Sequence, residues 1–259
     1  MVKKAKTIKV MKKIIILIYG ILAYIIFLVS FLYSIGFVNN LWVPKGIDTG
    51  IEVDIITAFL TNIGLLFLFA IQHSVMARPA FKKWWIKIIG KPAERSTYIL
   101  LTSLALLLIF WKWQPINDPI WNIENNTIAM GMQVLYFIEW LIVLLSTFMI
   151  SHFELFGLTQ IVDNLKNRVS QSPSFQVNYF YGLVRHPIMF GFLIAFWATP
   201  TMTTGHLLFA AVTTVYILFA IKFFEERDLK KALGETYVSY QKKVPMLIPF
   251  TKLSKQQSL

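Results

Sequence analysis

An unbroken apolar run over residues 14–37, preceded by Lys3, Lys4, Lys6, Lys9, Lys12 and Lys13, constrains this chain more than any other stretch. A bilayer core takes roughly 17–25 residues of helix to cross. Its hydrocarbon offers backbone N–H and C=O groups no partner, so such a segment must satisfy them internally as a helix. The run lacks the short apolar core and small-residue cleavage site of a signal peptide, and it reads as a retained first span. Further runs follow at about 54–76, 97–113, 128–150, 187–200 and 206–224. The class expected is an all-α polytopic membrane helix bundle of about six spans, the last two a tight hairpin. Little chain lies outside the spans, so residues 1–259 are expected to form a single integral membrane domain.

Composition agrees with that class. Apolar residues make up 56% and charged residues 15% of the chain, where soluble domains carry about 25% charged residues. The absence of cysteine removes disulfides, thiol nucleophiles and thiolate metal sites. A net charge of +12 can suggest nucleic acid, but the basic residues flank the apolar runs. All Lys and Arg except Lys45 and Lys112 fall in the termini, in the loops at 77–96 and 151–187, or at the end of the last run. The positive-inside rule places those segments, and both termini, in the cytoplasm, with anionic lipid as their partner. Residues 225–245 carry Leu229, Leu233, Tyr237, Tyr240 and Val244 at three- and four-residue spacing. That spacing predicts a cytoplasmic amphipathic C-terminal helix, lying in the interface or acting as a lid. No glycine-rich dinucleotide motif, P-loop or His-Glu-x-x-His pattern occurs.

Two constellations can carry chemistry. Tyr181, Gly182, Leu183, Val184, Arg185, His186 and Pro187 stand directly before the fifth run, and Glu225-Glu226-Arg227-Asp228 directly after the sixth. A short hairpin returns the chain to the same membrane face and brings the two together. Proline in a first helical turn is structurally ordinary, but adjacent carboxylates at a membrane helix end need partners or water. Arg185 and His186 suit an anionic group, and Glu225 or Glu226 a cationic or hydroxyl-rich one, so a ligand carrying carboxylate, amine and ribose satisfies both. Tyr179, Tyr181, Tyr237 and Tyr240 add aromatic faces that attract onium cations, or else form an interfacial belt. The second constellation is His73, Arg95, Tyr98, His152 and Glu154, from the cytoplasmic ends of runs two to four. A histidine hydrogen-bonded to tyrosine or carboxylate is a plausible general base near neutral pH, and equally an ordinary structural pair. Glu139 lies mid-span as an interior or pocket residue, and His206 at the hairpin turn reads as structural.

At these residues the chain resembles a known group. The array Gly182-Leu-Val-Arg-His-Pro187, Glu225-Glu-Arg-Asp-Leu229 and Gly234-Glu-x-Tyr237-x-x-Tyr240 is similar to the isoprenylcysteine and phospholipid methyltransferase superfamily of integral membrane enzymes. His73-Ser-Val-Met-Ala-Arg-Pro79, Glu94-Arg-Ser-Thr-Tyr98, the segment from His152 to Gln160 and that from Trp197 to His206 look like its methanethiol S-methyltransferase branch. Met189 stands where the wider superfamily often has tyrosine after Arg-His-Pro-x, which fits a small acceptor better than a prenylated thiol or phospholipid. The resemblance implies methyl transfer from S-adenosylmethionine to a small volatile thiol, methanethiol, giving dimethyl sulfide and S-adenosylhomocysteine without a metal. It implies a cofactor region at 178–245. There Arg185 and His186 hold the cofactor carboxylate, Glu225 or Glu226 its ribose or amine, and Tyr181, Tyr237 and Tyr240 line the pocket. Thiolate chemistry needs a base, for which His73 with Tyr98, oriented by Glu154 or Arg95, is the expectation. A methyltransferase for a larger membrane thiol or phospholipid, a non-catalytic membrane protein keeping the fold, and a nicotinamide-dependent reductase are the alternatives.

Overall fold

The computed structural model describes residues 2–169 and 175–252. In chain order its elements are α1 (Val2–Asn39), α2 (Ile55–Ala77), α3 (Pro79–Ile89), α4 (Lys91–Lys112), β1 (Pro119–Asn122), α5 (Asn126–Ile150), α6 (His152–Leu155) and α7 (Leu158–Lys166). Then come α8 (Phe180–Leu183), α9 (Pro187–Trp197), β2 (Thr201–Thr203), α10 (Thr204–Ala220), a π-helical stretch Ile221–Glu225, α11 (Glu226–Leu233) and α12 (Glu235–Lys243). Among the described residues, five helices are long and apolar enough to cross a membrane: Lys6–Asn39, Ile55–Ala77, Lys91–Lys112, Asn126–Ile150 and Thr204–Leu233. The protein is an all-α polytopic membrane bundle.

The chain divides into two compact units, the first comprising Met1–Asn117 with Ser151–Pro173 and the second Asp118–Ile150 with Ser174–Leu259. In the first unit α4 packs on α1 and α2, and α7 on α1. The first helix starts well before the apolar run, carrying the lysine-rich segment as helix. Asp54 caps α2 by accepting a hydrogen bond from the Thr57 N–H at 2.9 Å, satisfying one of the donors a helix start leaves open. Pro79 opens α3 and Gly90 separates it from α4, so the basic loop expected at 77–96 is largely helical.

In the second unit α5 packs along α9. Gly191 permits that approach: a Cβ there would stand 2.7 Å from Val143 Cγ2 and 3.0 Å from the Glu139 carbonyl oxygen. The fifth apolar run departs from expectation. Helix α9 has 11 residues, about 16 Å at the α-helical rise, roughly half a bilayer core. It ends because a residue before proline, here Thr199 before Pro200, is driven out of the helical region. The extended residues that follow form β2 and pair antiparallel with β1, with Trp121 opposite Met202 and Asn122 opposite Thr201.

The single amphipathic helix expected over 225–245 is two helices. Helix α11 runs on from α10 through the π-helical stretch, and Gly234 then breaks the path at φ +57 and ψ −134, a backbone region that side chains with a Cβ resist. The predicted apolar spacing nevertheless describes a real cluster. Tyr237, Tyr240 and Val244 pack with Leu229, Leu233 and Phe175.

Candidate active site

In the second unit the two polar motifs meet as the sequence requires. Arg185 sits at the end of α8's approach to α9 with its side chain only 7% exposed. Its Nε donates to Glu226 Oε1 at 2.7 Å, its Nη2 lies 2.5 Å from the same oxygen, and its Nη1 donates to the Val244 carbonyl at 2.6 Å and the Gln241 carbonyl at 3.3 Å. Four of the five guanidinium N–H donors are thereby accounted for. Gln241 Nε2 donates to the other Glu226 oxygen at 2.9 Å. The main chain is tied down at the same point, where Arg185 N–H donates to the Pro245 carbonyl and His186 N–H to the Met246 carbonyl. The segment after α12 is therefore stitched onto the start of α9.

His186 places one ring nitrogen 3.3 Å from Glu226 Oε1 and the other 3.5 Å from Glu225 Oε2. Burial by itself would depress its pKa, but hydrogen bonds to and the charges of Glu225 and Glu226 outweigh that and push it up to about 9. The two acids thereby favour the protonated imidazole at neutral pH. The π-helical stretch ends at Glu225. Its wider turn changes the angular spacing that an α-helix of 3.6 residues per turn imposes, and both consecutive carboxylates reach the same imidazole. π-bulges are frequent at functional sites for this kind of reason. Glu225 is the outward member, its side chain 45% exposed.

The tyrosines extend the cluster. Tyr240 OH donates to the Tyr181 carbonyl at 2.6 Å, and Tyr181 OH to the Ser146 carbonyl on α5 at 3.4 Å. Burial raises the pKa of all three phenols, Tyr240 to about 12 even with Arg185 opposing the shift, so they remain hydrogen-bond donors. Tyr237 is 1% exposed and its hydroxyl has no hydrogen-bond partner among the described residues. Gly182, Leu183 and Val184 form the turn before Arg185, and a Cβ added at Gly182 would meet nothing within 4 Å. Pro187 opens α9. Tyr179 is mostly exposed.

The first unit contains the other constellation. Tyr98 OH lies 3.0 Å from the His73 ring nitrogens, and the Arg95 guanidinium sits 5.1 Å from the centre of the Tyr98 ring. Arg95 Nε donates to the Leu155 carbonyl at 2.6 Å, which fixes it over that ring. His152 is buried and pairs with Tyr24 OH at 2.8 Å, and burial lowers its pKa. Burial raises the pKa of Glu154, with Arg95 opposing and Asp163 reinforcing the shift. Of the four residues expected around a base, His73, Tyr98 and Arg95 therefore touch in sequence, while Glu154 couples to Arg95 through its charge. His206 bonds the Phe196 carbonyl at 3.0 Å, joining α10 to α9 as a structural residue should. Sequence reasoning missed Tyr24 and Gln241. Neither stands in a motif, and a hydroxyl or amide inside or beside an apolar helix was the one available signal.

A helical membrane protein in which a buried arginine and histidine face two consecutive carboxylates at the join of two helices is the class that fold and site define. Residues 62–245 match the family described as NnrU protein, and the chain belongs to that family. It is 50% identical over 240 residues, 93% of its length and 84% of the relative's, to methanethiol S-methyltransferase 1 of Bradyrhizobium diazoefficiens. It is 48% identical to the methanethiol S-methyltransferase of Mycobacterium tuberculosis, covering 93% of this chain and 98% of the other. More distantly it is similar to nurim of Xenopus laevis, 33% identical over 169 residues, 60% of this chain and 57% of the other. No solved structure matches the chain.

Proposed function

We propose that this protein methylates methanethiol, using S-adenosylmethionine as donor and releasing dimethyl sulfide and S-adenosylhomocysteine. The observation that carries the reading is the Arg185–His186–Glu225–Glu226 cluster, set in a chain half identical to proteins of that name over nine-tenths of its length. The residues present fit the donor. The fifth Arg185 N–H can serve a carboxylate, half-exposed Glu225 can accept from an amine or ribose hydroxyl, and the buried Tyr237 hydroxyl lacks a partner that such a ligand can provide. When bound, S-adenosylmethionine supplies a methyl carbon on a positively charged sulfur.

The protein's own tasks follow from that chemistry. Even a cysteine thiol titrates near 8.5, so the acceptor thiol must give up its proton as its sulfur attacks. His73, hydrogen-bonded to Tyr98 and backed by Arg95, is our proposed proton acceptor, with residues 1–259 acting as one catalytic domain. We place the site on the cytoplasmic face of the cell's inner membrane, because the lysines and arginines flank it. A dry site strengthens every electrostatic interaction used.

Headspace gas chromatography of the detergent-purified protein, given S-adenosylmethionine and methanethiol, tests the reading. Dimethyl sulfide is expected from the wild type and not from His186→Ala. His73→Ala and Tyr98→Phe are expected to lower turnover far more than donor affinity. Folded wild-type protein that forms no dimethyl sulfide would overturn the substrate assignment, and unchanged turnover in His73→Ala would remove that residue as the base.

A further inference from the structure

Among the described residues of the second unit, Glu139 is the buried acid that the cluster leaves unused. It lies on the buried face of α5 with Tyr136, Trp140, Val143 and Ser146, and it is 4% exposed. Its Oε2 has no hydrogen-bond partner among the described residues. The helix that covers this face, α9, reads Pro-Ile-Met-Phe-Gly-Phe-Leu-Ile-Ala-Phe-Trp and has no charged side chain, and α5 has no other. The contact is tight, since Gly191 leaves no room for a Cβ against the Glu139 carbonyl.

A carboxyl group so placed is unusual. Charged or unpaired polar groups in an apolar interior are costly, and within membrane helices they mark functional positions. Glu139 is also not isolated from the cluster described above. Seven residues along α5, about 10 Å of helix, Ser146 presents a buried Oγ that likewise has no partner among the described residues. The Ser146 carbonyl accepts from Tyr181, the Tyr181 carbonyl accepts from Tyr240, and the Tyr240 ring packs edge-on against Tyr237. Buried polar atoms awaiting partners thus run from Tyr237 past Ser146 to Glu139. Beside the acid, Trp140 meets Phe192 edge-to-face at 5.5 Å and stands 6.3 Å from Phe196. Aromatic faces of this kind attract cations.

We propose that Glu139 is the counter-charge for the positively charged sulfur of the methyl donor. This rests on the methyl-transfer reading and adds a subsite to it. The tight seam is between the two backbones at Gly191; a cation brought beside the carboxyl end of Glu139 gives it the partner the protein withholds. The spent donor has a neutral sulfur and gains nothing from Glu139, so the same residue favours binding of the donor over its product. Trp140 serves as an aromatic wall, and Ser146 as a hydrogen-bonding station between the Arg185 cluster and the sulfur.

Isothermal titration of the purified full-length protein with S-adenosylmethionine and, separately, S-adenosylhomocysteine tests this without turnover. Glu139→Gln keeps the shape and removes the charge. It is expected to weaken S-adenosylmethionine binding by about tenfold or more, which is about 1.4 kcal/mol, and to leave S-adenosylhomocysteine within about twofold of wild type. Glu139→Asp, which keeps the charge, is expected to retain most of the preference. S-adenosylhomocysteine binding doubles as the check of folding. An unchanged ratio of the two affinities in Glu139→Gln would overturn the proposal while leaving the donor site standing. Wild-type protein that binds neither ligand would overturn both.

Discussion

Replacing Glu226 with glutamine removes one charge from the centre of the cluster with little change in volume. The carboxylate receives two guanidinium nitrogens, one imidazole nitrogen and one amide, at 2.5 to 3.3 Å, with its own side chain 13% exposed. After the change Arg185, 7% exposed, keeps only the Val244 and Gln241 carbonyls as strong acceptors. Breaking a buried pair by removing one partner costs about 3–5 kcal/mol, because the other charge stays buried. For a chain of this size that corresponds to a fall of about 10 °C in the unfolding midpoint. Because the same contacts tie 241–246 to the start of α9, proteolysis should report loosening at that end. Scanning fluorimetry in one detergent, at one lipid content, gives the measurement. Arg185→Met alone should be similarly destabilising, whereas Arg185→Met with Glu226→Met should lose much less than the sum. A coupling of about 2 kcal/mol is expected for residues in one network. Singles that add within about 0.5 kcal/mol, or a Glu226→Gln midpoint unchanged from wild type, would refute the claim that this pair holds the site together.

Three further outcomes are expected. His186 has a pKa raised to about 9 by Glu225 and Glu226 against the depressing effect of burial. A raised pKa means stabilisation that is complete below the ordinary value of about 6.5 and lost as pH climbs through about 9, worth about 3 kcal/mol. The unfolding midpoint should therefore fall between pH 7 and 9.5 in the wild type and stay level in His186→Gln, and a level wild-type profile would refute the assignment. Gly191→Ala should destabilise by about 1–3 kcal/mol as an overpacking change, since the new Cβ meets backbone and a stiff valine; a midpoint within error of wild type would show that α5 and α9 stand further apart. Gly234→Ala should lose about 1–3 kcal/mol by backbone strain at its positive φ, seen as increased protease cutting between α11 and α12.

Much of this architecture was legible before any coordinates. Helices that must satisfy their own backbone in hydrocarbon announce themselves by length and apolarity, and α1, α2, α4, α5 and α10 stand where the runs lie. The meeting of Arg185 and His186 with Glu225 and Glu226 was legible too, because a short connection returns two helices to one face. The apolar spacing from Leu229 to Val244 described a true cluster, yet it could not show that Gly234 turns the chain within it. The pairing of β2 with β1 was hidden because partners some 80 residues apart leave no periodic trace.

The sequence by itself determined where the long apolar helices run, which motifs meet and which residue types assemble there, since those follow from local composition and short-range connection. Tertiary structure alone decided how the cluster is satisfied. It gave four Arg185 donors to Glu226 and two carbonyls, turned Gln241 onto the same carboxylate, and left Tyr237, Ser146 and Glu139 with buried atoms that no described residue answers. Whether a buried polar atom finds a partner depends on groups that packing brings from elsewhere in the chain, and the residue's own neighbourhood in sequence does not contain them.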